Sequence, residues 1–209
     1  HSPRWMTSSF NGAGTAGALF GGLLAMLIRW QWAFPGRPVP AVGGLLFPGS
    51  GGAIAPDSYA KIFTLHGLVM IFFAITPVLI GAFGNFRGPL QIGAREMAFP
   101  RLNAFSYWSF LLSGIVLYTG LAIGHAPDAG WFAYPPLSGP EYSPGLNLDF
   151  YAIALLFLTV STTAGAINVI VTIFKVRCPG MSLSRMPLLM WSTLTASVST
   201  GVALPALTV

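Results

Sequence analysis

The chain has 209 residues, of which 54% are hydrophobic and 7% charged, with 10 Lys and Arg against 5 Asp and Glu. A water-soluble domain carries about 25% charged residues, so this chain cannot cover its own surface in water, and its mean hydropathy of +0.71 makes a bilayer the better solvent. A single cysteine, Cys178, excludes an internal disulfide and a thiolate metal cluster.

Five apolar runs, near 12–33, 62–86, 102–124, 150–174 and 186–209, are each long enough to cross the bilayer, which takes about 20 helical residues for roughly 30 Å of hydrocarbon. Short alternating segments are absent, so the fold class is all-α, a polytopic transmembrane helix bundle, rather than a barrel. The first run carries Arg29 near its end and leads into a Gly- and Pro-rich connection at 34–57. The second holds His66 and is followed by "GNFRGPLQIGAREMAFPRLN", a polar connection with Glu96 among three arginines. After the third run comes a second Gly- and Pro-rich stretch, 125–149, with turn chemistry suited to a compact cap. The fourth run contains Asn168, and a short connection with Cys178, read as a free structural thiol, leads to the fifth. The chain opens at His1 and stops inside its fifth apolar run at Val209, and it reads as a piece of something longer.

The charges sort by side. Arg4, Arg87, Arg95, Arg101, Lys175, Arg177 and Arg185 fall on one side, with Glu96 as their one acid. Arg29, Arg37 and Lys61 share the other with Asp57, Asp128, Glu141 and Asp149. The positive-inside rule puts the first side, including the N-terminus, in the cytoplasm. The net charge of +5 is thus a topology signal, not a nucleic-acid footprint.

His66 is the one imidazole inside a charge-free span, and such a group is costly in a membrane unless it has a partner. At helical spacing it shares a stripe with Tyr59, Phe63, Met70, Phe73 and Pro77, and Gly67 beside it lets a flat body approach the backbone. Two readings stand: a ligand, best suited to haem with Nδ1–H oriented by a carbonyl, or an interior histidine bonded across helices. His125 reads as a solvated loop residue beside Pro127 and Asp128. Asn168, with Ser161, Thr162 and Thr163 up to two turns before it, is open between interhelical hydrogen bonding and a wet polar file.

"FTLHG", "GAFGNF", "PLQIGAREMAFPRLNAFSYW", "DAGWFAYPPLS", "AGAINVIVTI" and "RCPGMSLSRMPLLMW" occur in this order. Together they resemble subunit I of the haem–copper terminal oxidases, of the cytochrome c oxidase type, over about residues 20 to 209. Members have about twelve transmembrane helices, so the resemblance implies that 1–209 is the N-terminal five-helix portion of one integral membrane domain. It implies that His66 is an axial ligand of the low-spin haem, that Arg29 meets a haem A formyl group, which favours haem A over haem B, and that Trp131 packs near the propionates. The high-spin haem and the copper would be liganded outside this portion, and no catalytic residue is expected within it. For proton uptake, the positions matching the family's channel are Glu96 at the mouth, then Asn85, Asn103, Ser106, Ser161, Thr162 and Asn168. Three departures stand out: Glu96 where Asp is usual, Ala104 where a second asparagine often follows Asn103, and a different N-terminal segment that leaves the first helix incompletely represented.

The function so implied is a proton-pumping oxidase that reduces O2 to water in aerobic respiration, with cytochrome c or quinol as donor. Subunits of types II and III, a respiratory supercomplex and the lipid bilayer are the expected partners, in a bacterial cytoplasmic membrane. A nitric oxide reductase-like haem–copper enzyme, and a haem-binding membrane scaffold or transporter gated at Glu96, are the alternatives.

Overall fold

The computed structural model describes residues 3–207, so His1 and the Val209 end of the fifth run lie outside the described residues. Among the described residues, five helices are long and apolar enough to cross a membrane: α1 (Pro3–Ala33), α2 (Pro56–Gln91), α3 (Pro100–Ala122), α4 (Asn147–Lys175) and α5 (Leu188–Leu207). The all-α expectation holds, and the described residues contain no strand.

The helix bounds differ from those drawn on hydropathy. With 31 residues, α1 has the length of a whole span. Pro56 at the first turn and Asp57 beside it start α2 six residues before the apolar run, because a proline gives up no needed N–H there and an acid favours the positive end of the helix dipole. Seven residues of the "GNFRGPLQ" stretch, Asn85–Gln91, remain helical, and Pro100 opens α3. The connection around Glu96 therefore shrinks to 92–99.

The middle of α2 winds more widely than an α-helix, over Val69–Ile75 and again over Pro77–Gly84. Pro77 has no N–H to give, and the Thr76 hydroxyl donates to the Ile71 carbonyl at 2.7 Å. More residues per turn shift the side chains off a 3.6 repeat. The stripe expected around His66 accordingly divides. Phe63 stays 54% exposed, whereas Phe73 is buried with its ring 5.5 Å from Phe110 and 6.2 Å from Tyr118 on α3.

Helices in a bilayer gain little from hiding apolar surface from one another, so close approach and interhelical hydrogen bonds hold them. α1 lies antiparallel on α2 along glycines: a Cβ at Gly14 would meet Val78 at 2.6 Å, one at Gly17 would run into the Phe73 carbonyl, and one at Gly21 would meet the Met70 sulfur at 2.6 Å. α3 and α4 are joined antiparallel by hydroxyls. Ser113 donates to the Ala154 carbonyl at 2.6 Å, while Ser106 and Ser161 donate to each other's carbonyls at 2.9 and 2.7 Å. α5 lies against α4, with Gly201 facing Ala166.

Candidate functional site

Two regions carry the residues singled out in the sequence. The first surrounds His66. Its Nδ1 lies 2.9 Å from the Gly21 carbonyl of α1, and a carbonyl can only accept, so Nδ1 carries the proton and Nε2 keeps its lone pair. That is the tautomer a haem iron requires of an axial ligand. Among the described residues no three His, Cys, Asp or Glu side chains gather as a metal-binding group, and the His66 Nε2 is the single donor that a haem would take here. The residues fit a haem.

The loop after α3 seats Trp131 beside it. A Cβ on Gly67 would touch the Trp131 indole at 3.4 Å, so the flat body against Gly67 is this side chain. The Trp131 ring also meets Phe72 edge-on at 6.1 Å. Its backbone is held from two helices: the Tyr151 hydroxyl donates to the Trp131 carbonyl, and the Gly130 N–H donates to Thr64 Oγ1 at 3.0 Å. Arg29 is not brought to His66. It is exposed near the end of α1, about 12 Å along the axis from Gly21 at a rise of about 1.5 Å per residue.

His125 departs from its reading as a solvated residue. It is half-buried, its Nδ1 lies 3.1 Å from Asn147 Oδ1, and Asn147 Nδ2 donates to Asp128 at 2.9 Å. Position in a Pro-rich loop hid this, because the partners lie up to 22 residues away in sequence.

The second region is a partly open cavity of about 310 Å³, lined from all five helices and mostly apolar, with Phe10, Phe72, Phe110, Leu158 and Leu204 in its wall. Asn85, Asn103, Ser106, Ser161 and Thr162 all line it. Asn85 donates to the Gly81 carbonyl at 2.7 Å, and Thr162 donates back to Leu158 and Thr159 at 3.0 and 3.1 Å. Thr76, Ser197, Ser199 and Thr200 also line it, and sequence reading did not single them out. The signal was present in "STLTASVSTG", a run unusually rich in hydroxyls for a membrane span.

Asn168 and Glu96 do not line the cavity; Glu96 lies on the 92–99 connection, and Asn168 of α4 is bonded to that connection. Asn168 is fully buried, its Oδ1 accepting the Phe99 N–H at 2.9 Å and its Nδ2 donating to the Phe99 carbonyl at 3.1 Å. One turn further on, Thr172 Oγ1 accepts the Ala98 N–H at 2.9 Å. Ile92 and Met97 are buried in an apolar cluster with Ile173 and Met190, and Ile92 accepts the Cys178 N–H at 2.9 Å. Glu96, half-buried, thus sits on a connection held by α4 on its C-terminal side and by the Cys178 N–H on its N-terminal side. Cys178 is a free thiol packed over Gly93, whose φ of +70° no other residue adopts easily.

These features define a polytopic membrane protein in which one span carries a half-buried imidazole and the bundle surrounds a largely apolar cavity studded with hydroxyls and amides. Residues 8–209 match the family described as cytochrome C and quinol oxidase polypeptide I, and the chain belongs to that family. It is 43% identical over 91% of its length to a "Probable cytochrome c oxidase subunit 1-beta" of Nocardia farcinica, covering 30% of that protein. It is 45% identical over 76% of its length to a "Cytochrome bo(3) ubiquinol oxidase subunit 1" of Buchnera aphidicola, covering 24%. With a "Ubiquinol oxidase subunit 1" of Acetobacter aceti it shares 42% identity over 92% of its length, covering 27%. The chain therefore spans less than a third of the length of these relatives.

Proposed function

We propose that this chain forms the part of a terminal oxidase subunit I that provides one axial ligand of the low-spin haem and the mouth of a proton-uptake path. The observation that carries the reading is the convergence of Asn85, Asn103, Ser106, Ser161 and Thr162 on one cavity, next to the connection that bears Glu96. Reduction of O2 to water consumes protons as well as electrons, so a reaction centre buried in a membrane needs a wet route from one side. Neutral amides and hydroxyls suit that route, because they order water without trapping charge. Ser106 and Ser161 each donate across the α3–α4 seam, which leaves oxygen lone pairs to accept from water. Glu96 exchanges protons with bulk water at the mouth, and Asn168 and Thr172 act on the route by fixing the backbone that follows Glu96.

His66 would hold the low-spin haem through Nε2, with the Trp131 indole as a neighbouring flat wall and Arg29 toward the haem's edge, the basis for favouring haem A over haem B. When bound, the haem supplies one-electron transfer. The high-spin haem and copper of the same enzyme would take their ligands from the rest of subunit I, and the five helices are one portion of a single membrane domain. The Glu96 end faces the cytoplasm of a bacterial cell, since Arg87, Arg95, Arg101, Lys175, Arg177 and Arg185 collect there. The relatives' names include both cytochrome c and ubiquinol oxidases, so the donor class is cytochrome c or quinol. Subunits of types II and III complete the complex.

In the full-length enzyme, Glu96→Gln is expected to slow proton uptake while the reduced-minus-oxidised haem spectrum stays unchanged; full turnover in that variant contradicts the inlet. His66→Ala should remove the low-spin haem band, and a band that survives contradicts the ligand assignment.

A further inference from the structure

The inference drawn here rests on reading the cavity as a proton route and concerns its fifth wall. A file of water needs donors as well as acceptors from its lining, and a buried water makes about three hydrogen bonds. On the α3–α4 wall the hydroxyl protons are already committed: Ser106 to the Ser161 carbonyl, Ser161 to the Ser106 carbonyl, and Thr162 to carbonyls of its own helix. On α2, Thr76 donates to Ile71. Those groups offer water acceptor sites only.

Along α5 most hydroxyls behave the same way. Ser192 and Thr193 donate to Leu189, Thr195 to Trp191 and Thr200 to Ala196, at 2.7 to 3.0 Å. Ser197 differs. It is 3% exposed, it lines the cavity, and its hydroxyl has no hydrogen-bond partner among the described residues. A hydroxyl that could bond back along its own helix, as its neighbours do, but instead opens on a cavity is placed to donate into it. Thr200, three residues on and so on the same face, lines the cavity too and offers its oxygen as an acceptor.

We propose that Ser197 and Thr200 anchor ordered water on α5. The proton route then runs between the hydroxyls of α3–α4 and those of α5, set in a largely apolar lining, with Ser197 supplying a hydroxyl donor that the α3–α4 seam lacks. Besides the Asn85 and Asn103 amides, Ser197 is the buried lining group with an uncommitted proton among the described residues. Ser197 is a positioning residue: it orders the water that moves the proton and is not itself a proton carrier.

The test uses the full-length enzyme in phospholipid vesicles, with proton uptake, haem spectrum and a high-resolution density map as readouts. Ser197→Ala removes one oxygen and little volume, and is expected to slow uptake about two- to tenfold, the effect of losing one hydrogen bond. Ser197→Thr, which keeps the hydroxyl, is expected to restore most of the rate. The map of the unsubstituted enzyme should show water at about 2.8 Å from Ser197 Oγ, and the Ser197→Ala map should lack it. An unchanged rate in Ser197→Ala together with slow uptake in Glu96→Gln overturns the α5 wall and leaves the inlet standing. Unchanged rates in both overturn the inlet itself. A lipid acyl chain lying against Ser197, or the same water persisting in Ser197→Ala, also overturns the proposal.

Discussion

Asn168 grips both backbone groups of Phe99, accepting its N–H at 2.9 Å and donating to its carbonyl at 3.1 Å. One amide side chain of α4 thereby does for a connecting segment what a neighbouring strand does in a sheet, and the segment is the one that carries Glu96. Replacing Asn168 with Ala leaves a half-buried N–H and carbonyl unpaired, at about 1–3 kcal/mol for each group that water does not reach. Amide hydrogen exchange at Phe99 is expected to accelerate more than at Ala98, which Thr172 still holds. Equal protection at Phe99 in the variant would show that the clamp does not hold the segment.

The glycines of α1 are not interchangeable. At Gly17 an added carbon would strike the Phe73 backbone, which cannot move aside as a side chain could, whereas at Gly22 nothing lies within 4 Å. Gly17→Val should push α1 off α2 and cost about 1–3 kcal/mol or more, as overpacking does. Gly22→Ala should be neutral or slightly stabilising, since alanine is the better helix former. Thermal melting of the two variants in detergent separates these cases, and equal melting temperatures would contradict the seam.

Gly93 has a different constraint. Its φ of +70° and the Cys178 Cβ, which would lie 2.8 Å from a methyl at this position, both require glycine. The left-handed backbone alone costs an L-residue about 1–2 kcal/mol. Gly93→Ala is expected to lift the 176–181 connection, so that a maleimide labels Cys178 faster than in the unsubstituted protein. Unchanged labelling would mean that the two connections are not packed as described.

Much of this was legible in the sequence, for identifiable reasons. Span number follows from apolar run length, which the bilayer dictates directly, and His66 stood out because an imidazole in a charge-free span has few innocent roles. The convergence of Asn85, Asn103, Ser106, Ser161 and Thr162 could be expected only through family resemblance, because the residues come from three helices and no spacing rule links them. Periodicity gave no sign that Phe73 packs on α3, since the wide winding of α2 after Leu68 breaks the 3.6 repeat on which the stripe was drawn. The glycine seam was written in "GAGTAGALFGG", yet which glycines matter depends on where α2 lies. Asn168 was visible as a buried amide, but its partner, the backbone of Phe99, has no side-chain signature at all.

If protons enter through the cavity, filling it must slow them, and that is the direct test. Gly165 lines the cavity, and a first side-chain carbon there would rest in ordinary contact with Ser106 Oγ at 3.4 Å. Leucine at this position would extend into the space that water needs, and a proton cannot cross apolar volume without solvation. Time-resolved proton uptake by the full-length Gly165→Leu enzyme should fall on the order of tenfold or more, with the low-spin haem spectrum unchanged. Uptake at the unsubstituted rate, in a variant whose density map shows the cavity filled, would contradict the account.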